Sequence, residues 1–212
     1  MNAPPLPGRI DALLFDLGGV LIDINSEPVF AHWARCSGVP QDTLRARFHV
    51  DERYRQFERG ECSTADYFAH LRQTLGVDLA DADLLTGWNA LLGPEKPGIG
   101  RVLQAAAARY PLYLFSNTNS AHQAVWSVAS APLLAPFTRL FVSSEIGHRK
   151  PDVDAFHYVA AAIGLPAEHI LFFDDAAENV AGARSSGMAA VHVRDTRDIA
   201  AALAELAATT ER

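Results

Sequence analysis

Five short apolar runs, each followed by polar residues, most constrain what this chain can fold into. The runs cover residues 10–15, 112–115, 140–142, 170–173 and 190–193. Helix-forming stretches lie at residues 98–109, 120–129, 153–163 and 176–186. Strands that are buried on both faces give continuous apolar runs, and their alternation with helices is typical of a parallel sheet covered by helices. The sequence therefore predicts an α/β fold with a doubly wound parallel sheet.

The segment 23–93 differs from the rest because it carries one helix signal after another and no comparable apolar run. Ser26 is placed to cap a helix, and Ser63 with Asp66 three residues later is typical of a capping box. We therefore predict an all-helical cap domain at 23–93, inserted into a Rossmann-like catalytic core formed by residues 9–22 and 94–212. Ligands of such sheets bind beyond the carboxyl ends of the strands, where this insertion is placed to close over a substrate.

Composition excludes several classes of protein. With 49% hydrophobic and 20% charged residues over 212 positions, the chain is globular rather than disordered. A net charge of −7 excludes the basic surface of a general nucleic-acid binder, so we expect small-molecule partners. No apolar segment is long enough to span a membrane, and residues 1–8 lack a signal-peptide layout, so we expect a cytoplasmic protein. Cys36 and Cys62 are expected to be free thiols, and the oligomeric state stays open.

Polar residues that can carry chemistry follow the strand-like runs. They are Asp16, then Ser116 with Asn117, then Lys150, and finally Asp174 with Asp175. Asp16 is a positioned carboxylate that can act as a nucleophile, and Lys150 can neutralise a developing negative charge. The hydroxyl and the amide of Ser116 and Asn117 can donate hydrogen bonds to phosphate oxygens. Each residue also has a purely structural interpretation: a turn at Asp16, a helix cap at 116–117, and surface solvation at Lys150.

The adjacent acids Asp174 and Asp175 carry the sharpest signal. Two neighbouring carboxylates repel each other unless a cation or hydrogen-bond donors compensate them. Mg²⁺ favours an octahedral shell of carboxylate, water and substrate phosphate oxygens, and it fits such a pair. Asp175 with Glu178 also resembles a capping box at the start of the helix predicted at 176–186. The two interpretations are compatible.

In this order, the strand-end residues resemble the four motifs of the haloacid dehalogenase superfamily. The matching residues are Asp16-Leu17-Gly18-Gly19-Val20, Ser116-Asn117, Lys150 and Asp174-Asp175. The resemblance covers nearly the whole chain, and the helical insertion lies where the family places its first type of cap. Residues 57–61 look like a cap segment of the subgroup that includes bacterial α-D-glucose-1-phosphate phosphatases.

The resemblance implies a Mg²⁺-dependent phosphatase. It implies that Asp16 attacks phosphorus, that Lys150 and Ser116 hold the phosphoryl group, and that the reaction passes through an aspartyl-phosphate. It also implies a metal site formed by Asp16, Asp175 and Asp174, completed by the main-chain carbonyl of Gly18. We expect the substrate to be a small phosphorylated metabolite, such as a sugar phosphate.

One departure from the wider superfamily lies at Gly18, where most of its phosphatases carry a second Asp as general acid and base. A general acid typically contributes about 10²- to 10⁴-fold to the rate. Its absence should affect poor leaving groups most and anomeric oxygens least. A sugar 1-phosphate such as α-glucose 1-phosphate therefore agrees with Gly18.

Two other functions remain as alternatives. The chain can be a non-catalytic module that binds phosphate or sugar phosphate, although Asp16 and Lys150 would then have no chemical purpose. It can also be a 2-haloacid dehalogenase, but that chemistry does not need the acidic pair at 174–175. In the predicted cap, Arg59 is a candidate for contacting the substrate or a solvated surface residue, whereas Trp88 is expected to pack in the cap interior.

Overall fold

This computed structural model describes residues 9–210. The strands are β1 Ala12–Phe15, β2 Ile22–Ile24, β3 Leu92–Glu95, β4 Leu112–Ser116, β5 Phe137–Val142, β6 Ile170–Asp174 and β7 Ala189–His192. The helices are α1 Glu27–Ser37, α2 Gln41–Arg47, α3 Glu52–Glu58, α4 Thr64–Leu75, α5 Asp81–Asn89, α6 Ile99–Ala107, α7 Ser120–Ala129, α8 Ala131–Leu134, α9 Ser143–Ile146, α10 Val153–Ile163, α11 Ala177–Ser185 and α12 Thr196–Thr210, with a 3₁₀ turn at Ala167–His169. Within this described part, no helix has the length and apolar character needed to cross a bilayer. Residues 1–8, on which the expected absence of a signal peptide rests, lie outside it.

Five parallel strands form the central sheet in the order β5-β4-β1-β6-β7. Strand β1 lies in the middle, with Leu14 in register with Tyr113 on one side and Phe172 on the other. The predicted α/β fold is confirmed, as are all five predicted strands. Helices α7 and α10 have the predicted bounds, while β5 begins at Phe137, three residues before the apolar run.

Both faces of this sheet are buried. Leu13 and Phe15 point into one apolar cluster with the residues of α6 and α12, whereas Ala12 and Leu14 point into a second cluster on the opposite face. Alternate residues of a strand face opposite sides, so burial on both sides requires every position to be apolar. This explains why the strands are readable in the sequence as continuous runs.

A two-stranded antiparallel ribbon, β2 with β3, was not predicted. Ile22 pairs with Glu95 and Ile24 pairs with Leu92, so the ribbon lies across both expected boundaries of the insertion. The expectation of a wholly helical segment 23–93 is therefore wrong at its two ends. Strands of three and four residues, one of them containing a Gly-Pro pair, give too little periodicity to be recognised.

Helices α1 to α5 form most of a third apolar cluster, which is rich in aromatic side chains and also contains Ala121 of α7. The capping box at the start of α4 is confirmed, because Ser63 and Asp66 bond reciprocally to each other's main-chain N–H groups. Ser26 occupies the N-cap position of α1, as predicted, but its side chain makes no capping bond. The side chain of Asn25 instead accepts a hydrogen bond from the Glu27 N–H at 3.0 Å.

Candidate active site

The parallel sheet brings the predicted polar residues to one edge. Asp16 directly follows β1, Ser116 ends β4, and Asp174 ends β6. Lys150 reaches the same edge from the segment that precedes α10, and with Asp16 and Ser116 it lines a cavity of about 140 Å³. The carboxyl ends of parallel strands are the expected position for a ligand site in this class of fold.

The ammonium group of Lys150 lies between two carboxylates. Its Nζ is 2.7 Å from Oδ1 of Asp16 and 2.6 Å from Oδ2 of Asp174, and the side chain is 1% exposed. Burial by itself lowers the pKa of Lys150, but the two carboxylates outweigh it and raise that pKa above its ordinary value. The site therefore contains a fixed positive charge that is shielded from water.

Asn117 holds the main chain of Lys150 in place. Its Nδ2 donates to the Lys150 carbonyl at 2.8 Å, and its Oδ1 accepts from the Lys150 N–H at 2.9 Å. The sequence suggested a phosphate contact or a helix cap for this side chain. In the structure, its amide instead connects the end of β4 to the segment before α10 that contains Lys150. Asn119 is the residue that caps α7. Ser116 is buried and lines the cavity.

Asp174 is fully buried and is surrounded by donors. In addition to Lys150, it accepts hydrogen bonds from the Ala176 N–H at 2.8 Å and from Nδ2 of Asn179 at 3.0 and 3.1 Å. Asn179 was missed by the sequence analysis, because one amide inside a helix carries no distinctive signal. The capping box suggested for Asp175 and Glu178 is wrong, since no side chain caps α11.

Carboxylates outnumber cations at this edge. Oxygens of Asp16, Asp174 and Asp175 lie within 4.8 Å of one another, and Lys150 forms ion pairs with the first two. Burial raises the pKa of Asp16 to about 7 and also raises the pKa of Asp175, and in both cases Asp174 adds to the effect. An oxygen-binding divalent cation fits such a donor set. Gly18 lines the same cavity, as its predicted role in the metal shell requires.

Gly19 makes room for Asp175. Its φ is +77°, and a Cβ added there would lie 2.1 Å from Oδ2 of Asp175. Only glycine adopts this backbone conformation without strain, and only glycine allows the carboxylate to approach so closely. The Gly19 position therefore fixes one of the acidic side chains, a function that the sequence analysis did not assign to it.

Replacing Gly19 by Ala is expected to destabilise the fold by more than the roughly 1–3 kcal/mol of strain at a positive φ, because Asp175 must also move. Mg²⁺ affinity, measured by calorimetry, should fall in parallel. Gly38→Ala is the matched control: its φ is +73°, and an added Cβ meets nothing within 4 Å. Equal losses of unfolding free energy in the two variants would contradict the proposed contact.

His122 joins the inserted helices to the rim of the cavity. Its ring stacks on Trp88 with centroids 5.0 Å apart, its Nε2 donates to the Trp88 carbonyl at 2.9 Å, and its Nδ1 faces Nδ2 of Asn119 at 3.2 Å. Both ring nitrogens are thus engaged in the neutral form. Burial lowers the pKa of His122 to about 4. Trp88 is buried, as expected of a residue that packs the interior.

Acidification is expected to destabilise the fold through His122. The unfolded histidine takes up a proton below its ordinary pKa of 6.5, whereas the buried ring resists protonation until about pH 4. Its stabilising effect is complete above pH 6.5 and is lost as pH falls towards 4, a difference of up to about 3 kcal/mol. Urea unfolding at several pH values should show a shallower decline for His122→Gln than for wild type. His157→Gln, on the exposed side of α10, should keep the wild-type decline; identical curves for all three proteins would contradict this role.

Arg59 does not line the cavity at Asp16. Its guanidinium pairs with Glu61 at 2.6 Å and with Glu52 at 2.7 Å, at the wall of a separate cleft of about 720 Å³. Two local carboxylates thus engage its donors at this cleft, and a substrate contact for Arg59 stays a prediction.

The same cleft contains an ion pair that the sequence analysis missed. Arg149 donates through Nε and Nη2 to Oε2 of Glu58 at 2.9 and 2.8 Å, and the two side chains are 13% and 7% exposed. Burial raises the pKa of Glu58, although Arg149 opposes the shift. Glu58 ends α3, so this pair connects the inserted helices to the residue that precedes Lys150. Nearby, Gly60 lies directly against the Ser144 carbonyl.

A family model of haloacid dehalogenase-like hydrolases matches residues 10–187. The chain belongs to this family. Among curated members, it is 23% identical to the D-ribitol-5-phosphate phosphatase of Bacteroides thetaiotaomicron over 81% of this chain and 85% of that protein. It is 26% identical to a sesquiterpene phosphatase of Aspergillus oryzae over 87% of this chain and 90% of that protein.

Solved structures of haloacid dehalogenase-family proteins share the fold. A family enzyme of Bacteroides thetaiotaomicron, solved as a magnesium complex, superposes with a TM-score of 0.78 at 26% identity and covers 90% of this chain and 96% of that one. An L-2-haloacid dehalogenase superposes with a TM-score of 0.64 at 19% identity, over 90% of this chain and 87% of that one. The second likeness concerns the fold alone.

Proposed function

We propose that this hydrolase is a Mg²⁺-dependent phosphatase that acts on a small phosphorylated metabolite through an aspartyl-phosphate. The observation that carries the proposal is the buried Lys150 ammonium, held 2.7 Å from Asp16 at the edge of a cavity that Asp175 also lines. Phosphatase names among the relatives and the magnesium complex of the Bacteroides enzyme support it.

The residues have separate roles in this mechanism. An oxygen of Asp16 attacks phosphorus, so that an O–P bond forms while the bond from phosphorus to the leaving oxygen breaks. Water then cleaves the aspartyl-phosphate, which returns the carboxylate and releases inorganic phosphate. Lys150 and Ser116 stabilise the phosphoryl oxygens, and Asn117 keeps Lys150 in position.

Mg²⁺ would be held by Asp16, Asp175 and the Gly18 carbonyl. Asp174 would have a supporting role, because its oxygens already accept hydrogen bonds from Lys150, Ala176 and Asn179. When bound, the cation supplies positive charge that draws the phosphate and the nucleophile together in spite of their like charges.

The leaving group receives no proton from position 18. A Cβ at Gly18 would point at Ile24, only 3.3 Å from its Cγ2, so the direction that an acid would take is filled by an apolar side chain. Departing oxygens must be protonated by water or by the substrate itself. Esters with readily departing oxygens are therefore favoured, which supports the sugar phosphate expected from the sequence, α-glucose 1-phosphate among them.

A second candidate is an ester with an apolar leaving group. Four aliphatic side chains from the ribbon and the residue beside it line the cavity: Ile22, Ile24, Leu91 and Leu92. In the described chain, no residue of helices α1 to α5 lines this cavity. A polyol would find few hydrogen-bond partners among these four side chains. Under this candidate, Ile24→Ser should lower kcat/KM for phenyl phosphate, whose apolar leaving group departs readily, and leave that for α-glucose 1-phosphate unchanged.

Phosphate release from a panel of esters tests the proposal. The panel contains α-glucose 1-phosphate, ribitol 5-phosphate and phenyl phosphate, each assayed with Mg²⁺ and with excess chelator. We expect release with Mg²⁺ only, and the ranking by kcat/KM separates the two substrate classes. Binding of phosphate without turnover of any ester would favour the non-catalytic module. Chloride release from 2-chloropropionate in the presence of chelator would favour the dehalogenase.

We also propose that residues 23–93 act as a cap over a catalytic core formed by residues 9–22 and 94–212. The apolar cluster formed mainly by α1 to α5, which Ala121 joins from the core, supports this division. The two cysteines are free, which agrees with a reducing compartment such as the cytoplasm.

A further inference from the structure

A second group of metal-binding side chains lies on the inserted helices, apart from the Asp16 cavity. His32 and Cys36 are on α1, and Asp83 is on α5. Sγ of Cys36 is 3.6 Å from Nε2 of His32 and 3.9 Å from Oδ1 of Asp83. All three ligand atoms lie within 4.8 Å of one another. None of these residues lines the Asp16 cavity.

The two separations from Sγ of Cys36 are close to the edges of a coordination tetrahedron. Zn²⁺ binds sulfur at about 2.3 Å and nitrogen or oxygen at about 2.0–2.1 Å with tetrahedral angles. Two such bonds place sulfur about 3.5 Å from the nitrogen or oxygen ligand. The observed separations from Cys36, 3.6 Å to His32 and 3.9 Å to Asp83, exceed this value by one tenth and four tenths of an ångström. A metal ion would therefore be accommodated with small side-chain movements.

The two helices hold these ligands at a fixed separation. His32 and Cys36 are four residues apart and so lie on the same face of α1. Beside them, Nε1 of Trp33 donates to the Leu84 carbonyl at 3.2 Å. A Cβ added to Gly87 would lie 2.2 Å from that same nitrogen, so the backbones of α1 and α5 approach closely. The ligands are thus positioned by packed helices rather than by loops.

The same three residues do not form a cysteine nucleophile with its base. In a nucleophilic triad the acid orients the histidine, but here Asp83 contacts the sulfur. Nδ1 of His32 faces Nη2 of Arg35 at 2.9 Å, which is a donor and not a carboxylate. Metal binding at Nε2 places the proton on Nδ1, so Arg35 must turn away, and its exposed position on α1 permits this.

We propose that His32, Cys36 and Asp83 bind a divalent transition metal of the Zn²⁺ type, with water in the fourth position. Thiolate and imidazole ligands select such ions, whereas Mg²⁺ prefers the all-oxygen set at Asp16. The bound ion joins α1 to α5, the first and last helices of the insertion, and stabilises their packing. This second site is independent of the proposed catalytic chemistry.

Co²⁺ titration of the metal-free Asp16→Asn protein tests the proposal, because a thiolate ligand gives bound Co²⁺ a charge-transfer absorption band. The Asp16→Asn substitution is used because it weakens metal binding at the acidic site in the cavity. We expect one equivalent to give the thiolate band, excess Zn²⁺ to remove it, and excess Mg²⁺ to leave it unchanged. Cys36→Ser should abolish the band and weaken binding by about 100-fold or more. Cys62→Ser is the matched control, since Cys62 is the only other cysteine, and it should behave like the parent protein.

Thermal unfolding gives a second readout. Zn²⁺ should raise the Tm of the parent protein and of Cys62→Ser, because an ion that binds only the folded state stabilises it. Cys36→Ser and Asp83→Asn should lose most of this shift. Absence of a thiolate band in the parent protein, or the same band in Cys36→Ser, would overturn the proposal.

Discussion

Replacing Asp16 by Asn is expected to lower kcat for phosphate ester hydrolysis by on the order of 10⁴- to 10⁶-fold, the loss that follows removal of a nucleophile. The carboxamide has nearly the same volume as the carboxylate, so the cavity should keep its shape. It cannot form the aspartyl-phosphate, however, and it carries no charge to pair with Lys150, which lies 2.7 Å away. Single-turnover assays with excess enzyme should detect no covalent phosphate.

Asp11→Asn is the control for this substitution. Asp11 immediately precedes β1 at the strand end opposite to Asp16, and it pairs with Arg9 and His169 at the surface. Its replacement should leave kcat within about twofold of the wild-type value, in line with the small energies of exposed ion pairs. Full activity of Asp16→Asn would exclude the nucleophilic role, and equal losses in both variants would indicate a general effect on folding.

Replacing Lys150 by Met is expected to lower kcat/KM by on the order of 10³-fold, because a buried donor aimed at the phosphoryl oxygens is lost. It should also destabilise the metal-free protein by about 3–5 kcal/mol, since Asp16 and Asp174 then share a buried site without their counter-ion. Mg²⁺ should restore part of this stability by supplying positive charge. Urea unfolding with and without Mg²⁺ measures both effects.

A second variant keeps this prediction testable if Lys150→Met does not fold. Asn117→Ala removes the two hydrogen bonds to the Lys150 main chain and leaves the ammonium in place. A displaced but charged lysine should lower kcat by up to about 10²-fold. Wild-type kinetics in Asn117→Ala, or wild-type stability of metal-free Lys150→Met, would contradict the proposed arrangement.

The sheet could be predicted because its strands are buried on both faces. Burial at every position leaves a continuous apolar run, and the polar residues that end each run then mark the ligand-binding edge. The ribbon strands β2 and β3 are short and partly exposed, so no such run identifies them. Helix bounds were recovered where the sequence carries clear start and stop signals, as in α10, which ends before Gly164.

The finer geometry of the site depends on contacts between distant residues, and these leave no local signal. Asn117 reaches Lys150 across 33 positions, and Arg149 reaches Glu58 across 91. Arg59 was predicted as a candidate substrate contact in the cap segment 57–61, and the carboxylates two and seven residues away hold its side chain at the large cleft. Spacing along the chain indicates which groups can meet, and only the packed fold determines which groups do.

Arg149 and Lys150 are consecutive residues, but their side chains form ion pairs with different parts of the protein. The first is bound to the end of α3 by an ion pair, and the second holds its ammonium group beside Asp16. A peptide segment this short cannot release one residue without disturbing the other. Separation of α3 from the sheet would therefore be expected to loosen the Lys150 ammonium group as well, and with it the ion pair to Asp16. Opening of the cleft and displacement of Lys150 would then be coupled through the backbone that joins these two residues.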